Sequence, residues 1–266
     1  MSTLVVIPAR HASTRYPGKP LVTLRGATGE AKSLIRRSWE AAREVRGVDR
    51  VVVATDDERI RAHAMGFGAE VVMTSDRHRN GTERCAEALE ALGGGWDLVV
   101  NLQGDAPLTP PWFVEALVAG LRAAPGMPVA TPVLRTEGAA LEGFLRDRRE
   151  GRVGGTTAVF GAGGRALYFS KEVIPYTGRP YAAAEPTPVF HHVGVYAYRP
   201  EALRAYPGWE PGPLESLEGL EQLRFLENGL PVLCVEVDAR GRQFWELNNP
   251  LDAPRIEAMM AAMGMP

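Results

Sequence analysis

The sequence has little of several features that each point to a class of protein. Only two of its 266 residues are cysteines, Cys85 and Cys234, which argues against a disulfide framework, a catalytic thiolate and a cysteine-ligated metal centre. No apolar run approaches the roughly 20 residues of a membrane span, and the N-terminus lacks the basic-then-apolar layout of a signal peptide. A formal net charge of −2 does not favour nucleic acid as a partner. We therefore expect a cytoplasmic protein with no membrane span and no nucleic-acid partner.

The first half of the chain alternates short apolar runs with patterns typical of helices. Strands are predicted at residues 4–8, 50–55, 70–74 and 98–103. Helices are predicted at residues 32–45, 57–65, 82–92 and 110–123. This alternation predicts an α/β fold with a mostly parallel, doubly wound sheet that is covered by helices on both faces.

The pattern changes from residue 127 onward, where glycine-rich turns separate strand-like runs. This change predicts a smaller β-rich lobe. The polar segments 136–153 and 176–188 are expected to be loops, and residues 215–228 and 250–263 are expected to be helical. We expect a single domain over residues 1–266, made of an N-terminal region of residues 1–126 and a C-terminal region of residues 127–266.

The loop after the first predicted strand holds three cations, Arg10, Arg15 and Lys19, separated by small or hydroxyl residues. Three positive charges beside exposed backbone N–H groups suit a triphosphate. A solvated basic turn after an ordinary strand is the alternative. The other informative loops also follow predicted strands, and ligands of parallel sheets gather at the carboxyl ends of the strands. This convergence favours the phosphate-binding interpretation.

Two further strand ends carry candidate chemistry. Asp105 follows Gln103 and Gly104 at the end of the fourth predicted strand, where one carboxylate can hold Mg²⁺, although most aspartates at such positions cap a turn. The segment 74–84 leads into a helix whose first N–H groups can bind an anion or a base edge. It is a candidate for base and ribose recognition, with a plain helix cap as the alternative. His78 in this segment is interpreted as a hydrogen-bonding residue rather than an acid/base catalyst.

Together these motifs resemble the 3-deoxy-manno-octulosonate (Kdo) cytidylyltransferase family, the CMP-Kdo synthetases. The matching segments run in the family's order over nearly the whole chain, at residues 7–21, 54–56, 73–74, 78–84, 103–105, 166–170, 192–199, 213–215 and 220–224. The resemblance implies a nucleotide-diphospho-sugar transferase fold, with nucleotide binding in residues 1–126 and with sugar-acid binding and dimerisation in residues 127–266. It also implies that CTP and a small 2-keto-3-deoxy sugar acid, Kdo or a Kdo-like ulosonic acid, react to CMP-sugar acid and pyrophosphate. This activity would serve lipopolysaccharide or surface polysaccharide synthesis.

The resemblance also implies roles for individual residues, a Mg²⁺ cofactor and a homodimer. The nucleotide is assigned to Pro8, Ala9, Arg10, Ser13, Thr14, Arg15, Lys19, Thr74, Ser75, Asn80, Gly81, Thr82 and Arg84. The sugar acid is assigned to Gln103, His192, Tyr196, Glu221 and Gln222. Packing within a strand is the alternative for Tyr196, and a charge on a helix surface is the alternative for Glu221. Arg10, Arg15, Lys19 and Asp105 are the implied catalytic residues, with Asp105 as a metal ligand.

Three positions depart from the family pattern. Ala106 stands where the family has an acidic residue, Thr157 where it has a lysine, and Asn248 where it has the aspartate that is the second metal ligand. An amide oxygen is still a hard ligand for Mg²⁺, although a weaker one than a carboxylate. The N-acetylglucosamine-1-phosphate uridylyltransferases use a similar Val-Asn-Asn stretch for metal. We expect Asp105 and Asn248 to form a modified metal site.

The departures leave alternatives open. Glu246 lies two residues before Asn248 and would share its face on an extended segment, so it is a competing ligand. The losses at positions 106 and 157 could retune the pocket toward a different ulosonic acid. A nucleotidyltransferase for another sugar or base is one alternative function. A weakened homologue that binds nucleotide or sugar as a regulatory protein is the other.

Replacing Lys19 or Arg15 by alanine is expected to lower kcat/KM for CTP by at least about tenfold in each case, because a charge-assisted contact to phosphate contributes about 1.5–3 kcal/mol. Steady-state kinetics of pyrophosphate release measures this effect. Normal CTP titration and normal turnover in both variants would contradict the phosphate-binding interpretation of the loop.

Overall fold

The computed structural model describes residues 2–12, 16–104, 107–153, 155–242, 247 and 249–265. The chain divides into two compact units, the first formed by Met1–Glu115 with Ala239–Pro266 and the second by Ala116–Asp238. The C-terminal segment thus joins the N-terminal unit. The functional division into a nucleotide-binding region and a sugar-acid-binding and dimerisation region stays a prediction.

The secondary-structure elements are numbered in chain order. The strands are β1 (Thr3–Ala9), β2 (Thr23–Arg25), β3 (Ala31–Ser33), β4 (Arg50–Thr55), β5 (Glu70–Met73), β6 (Leu98–Leu102), β7 (Val129–Glu137), β8 (Thr156–Phe160), β9 (Ala166–Ser170), β10 (Pro186–His192), β11 (Val195–Tyr198) and β12 (Val232–Glu236). The α-helices are α1 (Leu34–Arg43), α2 (Glu58–Gly66), α3 (Gly81–Leu92), α4 (Pro111–Ala123), α5 (Gly138–Arg149), α6 (Pro200–Ala205), α7 (Pro213–Glu218), α8 (Leu223–Glu227) and α9 (Asp252–Ala262). None of the helices in the described part of the chain is both long and apolar enough to cross a membrane.

The first unit contains a parallel sheet in the order β5-β4-β1-β6. Every residue of β1 and of β6 is buried, which explains why these strands read as continuous apolar runs rather than as alternating patterns. Ala9 is paired with Thr55, and Thr55 with Met73, so β1, β4 and β5 end at the same edge. The parallel sheet predicted from the first four strands is confirmed.

Helices lie on both faces of this sheet. Gln103 and Gly104 follow β6 directly. A Cβ on Gly104 would meet Ile35 of α1 at 3.6 Å, whereas the Gln103 amide lies against Gly81 of α3. The doubly wound arrangement is therefore confirmed.

The second unit is the predicted β-rich region, and β7 lies at its centre. β7 pairs antiparallel with β10 and β11 and parallel with β12. β8 joins β10, and β9 joins β8, both antiparallel. Mixed pairing of this kind is typical of a sheet whose strands are linked partly by hairpins and partly by helical crossovers.

One of the two segments predicted as loops contains a helix, so that loop prediction is wrong. Residues 136–153 hold α5, whereas residues 176–188 form a loop up to the start of β10 at Pro186. The glycine at position 138 is the reason for the error, because it is needed for close packing and not for a turn. A Cβ on Gly138 would overlap the backbone carbonyl of Ala182, while the N–H groups of Gly138 and Ala139 donate to Glu185 and Ala183.

Two helix predictions also change in detail. The helix expected over 215–228 is split into α7 and α8, because Gly219 has φ +62° and ends α7. The helix expected from residue 32 begins at Leu34, because Ser33 belongs to the β2–β3 hairpin and its hydroxyl accepts from the Arg36 N–H to cap α1. The C-terminal helix is confirmed as α9.

Candidate active site

The end of β1 leads into the cation-bearing loop. Pro8 and Ala9 are the last residues of β1 and are buried, and Arg10 is exposed. Arg10 makes no hydrogen bond or ion pair with any residue that the structure describes. An exposed guanidinium without a protein partner is free to bind an anion.

A closed turn brings the chain back to Lys19. The N–H of Gly18 donates to His11 O at 2.9 Å, and Gly18 has φ +70°, a conformation that a side chain would strain. Lys19 then begins a short 3₁₀ turn, Lys19–Leu21. Ser13, Thr14 and Arg15 lie outside the described residues.

The start of α3 lies directly against the ends of β1 and β6. A Cβ on Gly81 would be 2.8 Å from Gln103 Nε2 and 3.2 Å from Pro8 Cγ, so a side chain there would have to displace the Gln103 amide and would press on Pro8. Asn80 Oδ1 accepts from the Glu83 N–H at 2.9 Å and caps the helix, and Thr82 is fully buried. Three predicted site residues from separate motifs, Pro8, Gly81 and Gln103, are thus brought together.

Arg84 is placed differently from an exposed ligand-binding cation. It is only 3% exposed, and its Nη1 donates to Thr74 Oγ1 and to Ser75 O. Its Nη2 lies 3.4 Å from Asp56 Oδ2. Arg84 therefore holds the ends of β4 and β5 together beneath the segment 74–84.

Asp56 and Glu87 are residues of this site to which the sequence analysis assigned no role. Glu87 accepts from the Ser75 N–H at 2.8 Å and from the His78 ring, which agrees with the interpretation of His78 as a hydrogen-bonding residue. Burial opposes the charge on Glu87, but these hydrogen bonds outweigh it, and the pKa of Glu87 lies below its ordinary value. The position of Asp56 directly after β4 is the signal that could have identified it.

The candidate metal ligands Asp105 and Asn248, the competing Glu246 and the substituted Ala106 lie outside the described residues. Their neighbours in the chain are described. Leu108 and Leu247 are both buried in one apolar cluster with Leu24, and Tyr16 packs against it. Tyr16, Leu108 and Leu247, which lie within three residues of Arg15, Asp105 and Asn248 in the chain, thus share one apolar cluster.

The donor set itself suits Mg²⁺. A carboxylate and an amide supply hard oxygen atoms, the ligand type that this cation prefers. Within the described ranges, no group of three or more His, Cys, Asp and Glu side chains is placed to hold a metal ion.

Three of the predicted sugar-acid residues meet in the second unit. Tyr196 Oη donates to Gln222 Oε1 at 3.0 Å, and both side chains are buried. The rings of His192 and Tyr196 are 5.7 Å apart. Gln222 Nε2 is buried and has no hydrogen-bond partner among the residues that the structure describes, which leaves an amide donor available to a ligand.

Glu221 and Thr157 each make a hydrogen bond that joins a side-chain hydroxyl to a backbone carbonyl. The backbone carbonyl of Glu221 accepts from Tyr206 Oη at 3.0 Å, which fixes the turn between α7 and α8. Thr157, which stands where the family has a lysine, is buried, and its hydroxyl donates to Glu172 O at 2.7 Å. Position 157 is therefore a support of the sheet, with its hydroxyl committed to the backbone.

His192 is neutral in the folded protein. Burial, together with the neighbouring His191, lowers the pKa of His192 to about 3. Its Nε2 lies 2.9 Å from Thr131 Oγ1. Because the Thr131 hydroxyl donates to the carbonyl of Val195 or Val193, Nε2 carries the proton and donates to Thr131.

We expect the buried His192 to make stability depend on pH. Between the ordinary pKa of 6.5 and the lowered value of about 3, the unfolded chain binds one more proton at this position, so the free energy of unfolding falls as the pH falls through this window. The slope from His192 is about 1.4 kcal/mol per pH unit. Urea unfolding of wild type and His192→Gln from pH 7.5 to 4.5 measures it.

The variant should show a shallower loss of stability below pH 6.5, and the two pH dependences should run parallel above pH 7. Parallel curves over the whole range would contradict a neutral, buried His192.

Comparison with known proteins shows that the chain is similar to cytidylyltransferases over nearly its whole length. A family model described as cytidylyltransferase matches residues 4–236. The 3-deoxy-manno-octulosonate cytidylyltransferase of Maricaulis maris is 46% identical over 264 residues, which cover 99% of each chain. The enzyme of the same name from Myxococcus xanthus is 40% identical and covers 98% of each chain. A mitochondrial relative from Arabidopsis thaliana with that name is 38% identical over 98% of this chain and 83% of its own.

Solved structures agree with this similarity. The structure of CMP:2-keto-3-deoxy-manno-octonic acid synthetase complexed with CTP has a TM-score of 0.83 and 33% identity, and the match covers 99% of this chain and 100% of that one. A cytidylyltransferase from Leptospira borgpetersenii, at 16% identity and a TM-score of 0.55, shares the fold. The predicted α/β fold class is confirmed.

Proposed function

Because this chain belongs to the cytidylyltransferase family, and within it to the 3-deoxy-manno-octulosonate cytidylyltransferases, we propose that it activates Kdo with CTP to give CMP-Kdo and pyrophosphate. The observation that carries the proposal is the close approach of Gly81 to Pro8 and Gln103. It joins the motifs of the phosphate loop, the base-recognition segment and the end of β6 at one edge of one sheet. The full-length relatives supply the identity of the two substrates.

The reaction is a displacement at the α-phosphate of CTP. The anomeric hydroxyl oxygen of the sugar acid forms a bond to the α-phosphorus and gives up its proton, and the bond from the α-phosphorus to the bridging oxygen of the departing pyrophosphate breaks. Arg10, Arg15 and Lys19 would offset the negative charge that moves onto the pyrophosphate. No covalent enzyme intermediate is required, so the site needs no nucleophilic side chain.

Base and ribose recognition falls to the segment 74–84. Gly81 lets α3 start in contact with Pro8, and the first N–H groups of a helix are suited to bind an anion or a base edge. Arg84, through Thr74 and Asp56, shapes this segment from beneath. In this proposal Arg84 supports CTP binding indirectly, because it fixes the backbone that contacts the nucleotide.

Mg²⁺ is the cofactor that the proposed chemistry requires, and Asp105 and Asn248 would hold it. The cation would gather the phosphate oxygens of CTP and neutralise part of their charge. The common burial of Leu108 and Leu247 supports this pair, because it anchors both segments in one cluster. The chain places an amide oxygen where its family has a carboxylate, so weaker metal binding belongs to the proposal.

Neutral donors of the second unit contribute to the recognition of the sugar acid in this proposal. His192 is uncharged, because its pKa is lowered to about 3, and Tyr196 Oη donates to Gln222 Oε1, so the amide Nε2 of Gln222 remains to donate to a carboxylate or hydroxyl of the substrate. Glu221 and Gln103 would contact the sugar hydroxyls. Donors without a formal positive charge bind an anionic sugar mainly by geometry, which gives selectivity for the hydroxyl pattern.

The product of the reaction and the two free thiols bear on the biosynthetic role and the cellular compartment in this proposal. Activated Kdo serves lipopolysaccharide or surface polysaccharide synthesis, and a homodimer formed through the second unit belongs to the proposal. Cys85 and Cys234 are free and buried, which supports a reducing compartment such as the cytoplasm.

The first test is pyrophosphate release by the purified protein with CTP, Mg²⁺ and a panel of ulosonic acids. We expect turnover with Kdo, and loss of turnover in Asp105→Asn, because the amide lacks the charge that holds Mg²⁺. The melting temperature of Asp105→Asn should stay near that of wild type. Turnover only with another acid or nucleotide would assign a different transferase activity, and binding without turnover would favour a regulatory homologue.

The second test concerns Asn248. Asn248→Asp restores a carboxylate and is expected to lower the Mg²⁺ concentration for half-maximal activity, whereas Asn248→Ala is expected to raise it or to abolish turnover. Glu246→Gln is the matched control. Loss of the metal dependence in Glu246→Gln, with none in Asn248→Ala, would move the ligand by two residues. An unchanged Mg²⁺ titration in all three variants would remove this segment from the metal site.

A further inference from the structure

A buried ion pair connects the two short helices beside the sugar-acid residues. Arg224 on α8 donates from Nε to Glu215 Oε2 at 2.6 Å and from Nη2 to Glu215 Oε1 at 2.7 Å. The Arg224 side chain is 1% exposed and that of Glu215 10%. Both residues belong to segments that carry the family resemblance, 213–215 and 220–224, yet neither has a role in the reaction described above.

Arg224 also supports the turn that lies between these helices. Its Cζ lies 4.2 Å from the centroid of the Tyr206 ring, and the Tyr206 hydroxyl donates to the backbone carbonyl of Glu221 at 3.0 Å. The Arg224 backbone N–H donates to the same carbonyl at 3.3 Å. The Glu221 carbonyl is thus held by two donors, the Arg224 backbone N–H and the hydroxyl of Tyr206, whose ring lies against the Arg224 guanidinium.

Both ends of α7 are held by hydrogen bonds, the C-terminal end to residues at the end of β9 and the N-terminal end to α8. Glu218 accepts from Ser170 Oγ at 2.6 Å and from the Lys171 N–H at 2.9 Å, and Glu227 accepts from the N–H groups of Leu214 and Glu215. Residues 219–222 are therefore a short turn between two anchored helices. Gln222, at the end of this turn, is oriented by Tyr196.

We propose that Arg224, paired with Glu215, is a positioning residue for the sugar acid, because it holds the Glu221–Gln222 turn in its binding geometry through Tyr206. The proposal rests on the proposed function, in which Glu221 and Gln222 contact Kdo. A buried Arg–Glu pair contributes little net stability compared with apolar residues of the same volume. Its value here is geometric, since a guanidinium fixes its partner through two parallel bonds and a stacked face.

Arg224→Lys tests this assignment, because lysine keeps the charge but cannot donate two parallel bonds or stack on Tyr206. We expect KM for Kdo to rise at least about tenfold while KM for CTP stays within about twofold, since displaced binding groups affect only the substrate that they contact. Calorimetric titration of Kdo in the presence of a non-hydrolysable CTP analogue should show the same loss of affinity.

The chain offers a matched control in Arg135. This residue also forms a bidentate pair, with Glu236 at 3.0 and 3.2 Å, and lies over an aromatic ring, Phe190, at 4.4 Å. The pair is about half exposed, with side-chain exposures of 44% and 48%. Arg135→Lys should leave both KM values unchanged.

Tyr206→Phe covers the case in which Arg224→Lys does not fold. It keeps the ring beneath Arg224 and removes only the hydroxyl that holds Glu221, so KM for Kdo should rise with little change in melting temperature. Equal changes in both KM values, or none in Tyr206→Phe and in a folded Arg224→Lys, would overturn the proposal.

The two proposals fail in different ways. Wild type that binds Kdo but releases no pyrophosphate contradicts the proposed function, and the calorimetric affinities still decide the role of Arg224. Wild type that does not bind Kdo overturns both.

Discussion

The close contact at the start of α3 is the constraint on which the site of the first unit depends. Gly81 lies where a side chain would have to displace the Gln103 amide and would press on Pro8. Because the helix can start this close, its N-terminus lies next to Pro8 at the end of β1 and next to Gln103, which follows β6. The buried strands bring the loops to one edge, and the glycine lets the helix reach it.

Three arginines of the two candidate sites differ in burial and in pairing. Arg84 and Arg224 are almost completely buried and are paired with Asp56 and Glu215, because an unpaired charge in the interior is very costly. Arg10 is exposed and has no partner among the described residues. The buried pairs hold segments in place, and an exposed cation such as Arg10 is suited to bind an anionic substrate.

Most of the first unit could be predicted from the sequence. The runs of β1, β4, β5 and β6 alternate with helical patterns, which is enough to predict a parallel sheet. β1 and β6 are buried throughout and read as continuous apolar runs, whereas the edge strand β5 is partly exposed. The second unit was predicted less well. Gly138 is of a residue type common in loops, yet it lies in α5. Its function there is close packing against Ala182, which is more than forty residues away in the chain.

Hydrophobic period and local turn chemistry are enough to predict the four strands of the parallel sheet, the helices that follow them and the strand ends at which the chemical motifs lie, although not the β2–β3 hairpin. They do not tell which polar residues face a ligand and which support others, and here the tertiary structure is needed. Arg84 has the sequence context of a ligand-binding cation and is buried under the segment it was expected to serve, and the role of Arg224 is visible only through Glu215 and Tyr206. Burial and pairing depend on contacts between distant segments, and a local pattern carries no information about them.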